Sequence, residues 1–510
     1  MFYRWGRVAF RHRRVIPLVV IAIILVMQVL FGAKLGDRLS QEGWEDPGAE
    51  STAAAQIEQD TFGRDNAGDV IVLVSAPGGV QDKALIDAAN TQIAAIQDRH
   101  AAQIDHVTSY FAKPNQQQVT ADGTQAFAAI GLKGDGEQTL KDFRAIEPDL
   151  RAIELPSDAT VQIAGATAVA DALDDGMAGD IARAEKVGLI FVAIILLFVF
   201  GGVVAAAMPL IVGILSILGS LSLLSVLAQF QQVNIFSQSV ITLLGLGLAI
   251  DYGLFMVSRF REELDRGLEV EEAVAVTTTT AGKTVFFSAL MVGVALSGLL
   301  MFPQAFLKSV AYGAISAVVL AAVISVAVLP ALFGMLGTRI DMWSVRRTSR
   351  KARRLEDTVW YRIPAWAMRN SKKVVVGITA LLFLITAPMV GITFGGINES
   401  YLPPSQETRQ SQDAFNEAFP AFRTDPVKLV VTGASNEQLG NIVMQTRQVS
   451  GLASPLKPSH PTQDGTTILS APLADRNGGQ EVVDQLRDLD VPDGVQTYVS
   501  GTPAMEVESI

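Results

Sequence analysis

The chain has 510 residues, of which 49% are apolar and 18% charged, with a mean hydropathy of +0.34. That balance excludes a purely water-soluble domain and suits membrane spans joined to sizeable soluble parts. There is no cysteine, which excludes disulfides, Cys-ligated zinc and thiol catalysis. The net charge of −11 conceals an acidic and a basic part, and nucleic acid is not expected as a partner because the basic runs sit where anionic lipid would meet them.

Taken in chain order, Arg4, Arg7, Arg11, Arg13 and Arg14 make a basic segment 1–14. The apolar window 15–33 follows, long enough to cross about 30 Å of hydrocarbon. It is too long for a cleaved signal sequence, and no A-x-A site follows it. Segment 34–186 carries 12 Lys/Arg against 26 Asp/Glu. Five more windows, 187–206, 209–228, 238–257, 284–302 and 309–336, fill the stretch 187–336. The connection 337–373 holds eleven Lys/Arg, and a seventh window spans 374–393 before the last segment, 394–510. The basic residues orient the chain: 1–14 and 337–373 are expected in the cytoplasm, with 34–186 and 394–510 outside. The basic runs then sit where anionic lipid meets them.

Within 34–186 the hydrophobic period alternates between 2 and 3.6. Strands are predicted at Asp69–Ala76, Ile104–Phe111, Ala126–Leu132 and Thr160–Ala164, and helices at 81–99 and Glu137–Ile153. The order β-α-β-β-α-β is that of a ferredoxin-like split βαβ unit. The last segment repeats it. Strands are predicted at Val427–Thr432, Thr466–Ala471 and Val495–Val499, helices at Asn436–Val449 and Gln480–Leu489, and one further strand between 450 and 465. The stretch around Gly165 (Val161-Gln-Ile-Ala-Gly165-Ala-Thr-Ala) matches the stretch around Gly501 (Val495-Gln-Thr-Tyr-Val-Ser-Gly501-Thr-Pro-Ala). A span followed by an outer domain therefore occurs twice, the mark of an internal duplication. The spans that follow the first copy have no counterpart before Ile510, so the chain reads as truncated. The expected fold is an α-helical membrane bundle of seven spans with two α+β outer domains.

One ionisable residue lies well inside an apolar window. Asp251, followed by Tyr252, interrupts the otherwise uncharged run Val240–Val257. It stands about 12 Å along a helix from Arg259, the next charge. A carboxylate at mid-membrane costs roughly 3 kcal/mol on insertion scales, and such residues face a bundle interior and serve proton, ion or substrate paths. A carboxyl group in low dielectric can exchange protons near neutral pH. Losing its charge changes which helix packing is cheapest, enough to bias rocking of one bundle against another. The plainer alternative is an acid satisfied by neighbouring hydroxyls. Tyr252 either donates to a carboxylate of a partner bundle or packs as an aromatic between helices. Gly247 and Phe255 lie four residues to either side, on the Asp251 face. Gly247 allows close helix approach, and Phe255 is gate or filler. Ser288 in the next span either bonds Asp251 or bonds its own helix carbonyl.

These residues also carry a resemblance. Gly245-Leu-Gly-Leu-Ala-Ile-Asp251-Tyr252-Gly-Leu-Phe-Met-Val-Ser-Arg-Phe-Arg-Glu-Glu263 resembles the fourth-span signature of the MmpL (mycobacterial membrane protein, large) exporters of the resistance–nodulation–division superfamily. Trp5-Gly-Arg7, Phe302-Pro-Gln-Ala-Phe-Leu-Lys-Ser309, Asn398-Glu-Ser-Tyr-Leu-Pro-Pro404 and Phe419-Pro-Ala-Phe-Arg423 are similar to the same family. The members that export trehalose monomycolate are the most similar, along essentially the whole chain. The resemblance implies a proton-driven lipid exporter of the inner membrane, with twelve spans and two porter-like outer domains. It implies membrane lipids, a glycolipid substrate and protons as partners, and it admits other envelope-assembly proteins. Asp251 and Tyr252 match the family's fourth-span Asp-Tyr pair, which meets a second pair in the tenth span; that pair would fall beyond Ile510.

Other motifs lead nowhere. Ala281-Gly282-Lys283-Thr284 ends like a P-loop, but Thr277 stands where the first glycine belongs and no strand precedes it. Gly245 and Gly247 open like a dinucleotide fingerprint, with Ile250 in the third glycine's place. His12, His100, His106 and His460 offer no metal-ligand spacing, so no cofactor or metal is expected. No nucleophile–base constellation suggests an enzyme. Two rival readings stay open: a lipid-sensing or scaffold membrane protein, and a protein-export accessory like SecD/SecF.

Overall fold

A computed structural model describes every residue except 41–42, 157, 344–358, 390–398, 424–425, 476–477 and 509–510. The basic run Arg346–Arg354 and Asn398 of the quoted motif therefore lie outside the described residues.

The amphipathic helix α1 (Phe2–Arg11) leads into α2 (Val15–Leu30), the first of six helices among the described residues that are long and apolar enough to cross a membrane. The others lie within α7 (Val203–Leu227), α8 (Phe236–Asp265), α9 (Val270–Thr277) continuing into α10 (Lys283–Ser297), α11 (Ala305–Leu336), and α13 (Ser371–Thr386), which follows α12 (Val359–Arg369). Seven were expected, and the count differs at 187–206. That window does not form its own helix. It is the end of α6 (Ala166–Phe200), a helix about 50 Å long that runs unbroken from the first extramembrane unit. The break falls at Gly201, in the left-handed region with φ 64°, and Gly202. The uncharged end of α6, residues 187–200, leads into that break.

Helices α7, α8 and α11 form the heart of the bundle, and glycines set their spacing. A Cβ on Gly253 of α8 would lie 2.8 Å from the Pro209 Cα of α7, and one on Gly313 of α11 would lie 2.7 Å from the Ser237 carbonyl. Phe260 and Phe333 stack in the core with centroids 4.5 Å apart. Helix α1 packs on α9 and α11, its Trp5 Nε1 donating to the Val326 carbonyl at 2.9 Å. It also touches a π-helical turn, Thr278–Gly282, that joins α9 to α10. The P-loop-like residues 281–284 are thus wound into a helix. Helix α13 has no buried residue.

Between α2 and α6 the chain forms α3 (Glu50–Phe62), β1 (Val70–Ser75), α4 (Lys83–Arg99), β2 (Ile104–Ser109), β3 (Gln125–Leu132), α5 (Glu137–Arg151) and β4 (Thr160–Ala164). The four strands make an antiparallel sheet in the order β2-β3-β1-β4. After α13 come α14 (Glu407–Ala418), β5 (Val427–Thr432), α15 (Asn436–Thr446), β6 (Lys457–Pro458), β7 (Thr466–Ala471), α16 (Gly479–Arg487), β8 (Gln496–Ser500) and α17 (Thr502–Glu508). Their sheet, β6-β7-β5-β8, is also antiparallel. The strand expected between 450 and 465 is the short β6. The repeat extends to single glycines. Gly165 (φ 109°) and Gly501 (φ 88°) follow the last strand of each sheet, and a Cβ on either would strike the carbonyl just before the first strand, Asp69 at 2.5 Å or Pro426 at 2.2 Å. Only glycine fits such a turn.

Each sheet buries one face under its own pair of helices. Val70, Val72 and Val74 pack with Leu85, Phe143 and Ile146, while Val427, Leu429 and Val431 pack with Ile442, Val482 and Leu486. The opposite face is covered by a helix from the other unit. Phe415 and Phe419 of α14 and its C-cap lie on Ile71, Leu73 and Phe127 of the first sheet. Ala54 of α3 lies on Val430 and Ile468 of the second. Neither helix was expected. Polar contacts repeat the exchange: the Gly165 amide donates to Gln412 Oε1 at 2.8 Å, and the Val499 amide donates to Glu50 Oε1 at 2.7 Å. Lys428 on β5 reaches across to Glu58 at 2.7 Å and Asp65 at 3.0 Å.

Candidate functional site

Helix α8 presents two faces. Tyr252, Gly253, Met256 and Phe260 turn inward, and Tyr252 is 6% exposed. Leu243, Gly247, Asp251, Phe255 and Ser258 follow one another at helical spacing along the outward face. Asp251 is exposed on a stripe of apolar neighbours. The cause is rotational: the glycine that seats α8 on α7 is Gly253, which turns the Asp251 side chain away from that contact. Gly247 meets nothing within 4 Å of a would-be Cβ, so the close contact proposed for it is not made among the described residues. Phe255 borders the carboxylate stripe, half open.

Among the described residues Asp251 has no hydrogen-bond or ion-pair partner. The Tyr252 hydroxyl, buried, also has none. Ser288 of α10 lies beside Tyr252 without meeting hydrogen-bond geometry, and among the described residues it bonds neither Asp251 nor its own helix carbonyl. An unmet hydroxyl in such a place carries a cost of about 1–3 kcal/mol, relieved by any acceptor that reaches it. The pair thus combines an outward carboxylate with an inward, unsatisfied donor on consecutive residues.

Sequence reading quoted the residues that follow but assigned them no role. Glu263 is 2% exposed and held between Arg259 and Arg266, the latter at 3.0 Å. Arg261 binds Asp341 at 2.7 Å and donates to the Phe200 carbonyl at 3.0 Å. The charged end of α8 therefore fastens the end of α6 and the turn Gly337–Asp341 that follows α11. The Arg259/Glu263 spacing of four was the available signal. A cavity of about 380 Å³ lies where the first sheet meets the bundle, lined among others by Trp44, Arg64, Asp69 and Thr139. Two of its charges are committed to each other: Arg64 binds Asp69 at 2.7 Å, and Asp69 accepts from the Leu132 amide at 3.0 Å. Burial pushes the Asp69 carboxyl above its ordinary pKa against the pull of Arg64.

Bundle and units together define a polytopic helical membrane protein with two extramembrane α+β units that exchange helices. The chain belongs to the MMPL family, which residues 43–374 match. Over its whole length it is 35% identical to 58% of the trehalose monomycolate exporter MmpL3 of Mycobacterium tuberculosis (strain ATCC 25618 / H37Rv). It is 34% identical, again over its whole length, to 55% of the trehalose monomycolate exporter MmpL3 of Mycolicibacterium smegmatis. With a putative membrane protein of Streptomyces coelicolor, SCO6666, it shares 31% identity over 95% of this chain and 67% of that one. The chain thus spans a little over half the length of the two exporters.

Proposed function

We propose that this chain forms part of a proton-driven exporter that carries a glycolipid, trehalose monomycolate, across the plasma membrane for cell-envelope assembly. The observation that carries the reading is the Asp251–Tyr252 pair, an uncompensated carboxylate and an unsatisfied hydroxyl inside a membrane helix. The names of the similar exporters support the substrate. In this reading the extramembrane units are ferredoxin-like porter domains on the outer side, the apolar end of α6 completes a seventh span, and the N-terminus is cytoplasmic. Asp251 takes a proton on one side and gives it up on the other, and Tyr252 donates to a carboxylate that a partner bundle brings against it. No step uses covalent catalysis.

In the complete protein, Asp251→Asn should abolish export while leaving expression and membrane insertion intact, because the amide keeps the size but cannot cycle a charge. Near-normal export by that variant, measured as surface delivery of labelled glycolipid, would sink the relay. Depleting the protein should make trehalose monomycolate accumulate on the inner side while the dimycolate product falls. Unchanged pools would remove this substrate and leave the transporter reading standing.

A further inference from the structure

A second cavity, of about 420 Å³, opens where α1 turns into α2, and its lining is Phe10, Arg11, His12, Arg13, Arg14 and Val15. The His12 carbonyl accepts from the amides of Val15 and Ile16 at 2.9 and 3.0 Å, which closes the turn and gathers four consecutive basic side chains around one concavity. Arg13 is held in place: its guanidinium carbon lies 4.5 Å from the Phe10 ring centroid. Both side chains rest on Gly334 of α11, where a Cβ would come within 2.9 Å of the Phe10 ring.

Among the described residues no carboxylate lines this cavity, and Arg11, Arg13 and Arg14 have no acidic partner. Elsewhere on the same helix the charge is answered, as where Arg7 binds Glu271 at 3.1 Å. Three neighbouring positive charges without a counterion, one of them held on the Phe10 ring, offer a seat to an external anion. Just beyond them the first span begins with exposed Val15, Leu18 and Val19, a surface for acyl chains directly below a seat for phosphate. Basic pockets at the end of a span are sites where anionic lipid headgroups bind. We propose that the Arg11–Arg14 turn binds the headgroup phosphate of an anionic phospholipid, fastening α1 and the first span to the leaflet. That this leaflet is the cytoplasmic one rests on the orientation proposed above.

The test uses the full chain in phosphatidylcholine nanodiscs, titrated with a fluorescent phosphatidylglycerol, in parallel with inorganic phosphate alone. We expect phosphatidylglycerol to bind in preference to phosphatidylcholine, more weakly as salt rises. Each of Arg11→Gln, Arg13→Gln and Arg14→Gln should lower the affinity about fivefold. Arg7→Gln, whose charge is already paired, should change it less than twofold. Equal binding of both lipids, or an affinity unmoved by salt and by the three substitutions, overturns the proposal. Displacement of the lipid by millimolar phosphate overturns the lipid assignment in favour of a free-anion site. Should a variant fail to fold, the salt titration of the unaltered protein still decides. Impermeant labelling of a cysteine placed at 122 reports the orientation separately.

Discussion

Two charged residues illustrate opposite solutions to burial. Asp251 keeps its carboxylate outward on an apolar stripe with no partner among the described residues. Lys428 instead sits in the sheet between Glu58 and Asp65, its side chain only 14% exposed. Burial acts to lower the Lys428 pKa, but the two carboxylates outweigh it and hold it above the ordinary lysine value. Burial likewise acts to raise Asp65, and Lys428 outweighs it and holds Asp65 below the carboxylate range. The Asp65 contribution is therefore complete above its unfolded pKa near 4 and lost as pH falls through the lower folded value. That of Lys428 is complete below the ordinary lysine pKa and lost as pH rises through the folded value. Lys428→Met, which leaves Glu58 buried and unpaired, should destabilise the extramembrane units by about 3 kcal/mol. Thermal melts at successive pH values check this: the variant should melt lower at pH 7 and lose the steep part of the acid limb. A variant as stable as the parent would mean that the ion pair contributes no net stability.

At the scale of the element, the exchanged helices bind the units more firmly than their sequences suggest. Phe415 is fully buried against Phe127 and Phe419, so Phe415→Ala should cost about 3–5 kcal/mol. The site of the damage is the informative part. Hydrogen exchange should quicken in β1 and β3, strands of the first unit, although the substitution is made in the second segment. Exchange confined to the second unit would contradict the reciprocal packing. The strands themselves were legible: Thr160–Ala164, Val427–Thr432 and Thr466–Ala471 form as predicted, and Asp69–Ala76, Ile104–Phe111, Ala126–Leu132 and Val495–Val499 shift at their ends by one or two residues. The helices α3 and α14 were not, because each buries only a thin stripe, Ala54 with Ile57 or Phe415 with Phe419, on an otherwise polar sequence. Periodicity sees an amphipathic helix only when its apolar face is broad. Which glycine seats α8 was also illegible, since Gly247 and Gly253 look alike in sequence.

On the scale of the whole molecule, the duplication and the family were both readable, the first from the Gly165/Gly501 stretches and the second from residues 245–263. The number of spans was less so, since α6 continues without interruption from sheet to bundle and ends at Gly201. The proposed orientation has a direct check. The chain has no cysteine, so Asp122→Cys, in the exposed turn before β3, would carry the only thiol. An impermeant maleimide added to intact cells should label it, and labelling only after permeabilisation would reverse the topology.

The exchange of α3 and α14 also imposes a timetable on biosynthesis. From Ala164, which completes the first sheet, to Glu407, which begins its covering helix, the ribosome must add about 240 residues and thread several spans into the membrane. At roughly 5–20 residues per second, this takes on the order of 10–50 s. Through that interval Ile71, Leu73 and Phe127 form an uncovered apolar face on a sheet already assembled. The nascent protein is then most open to aggregation and to holdase capture, and slow codons placed ahead of Glu407 would lengthen its exposure.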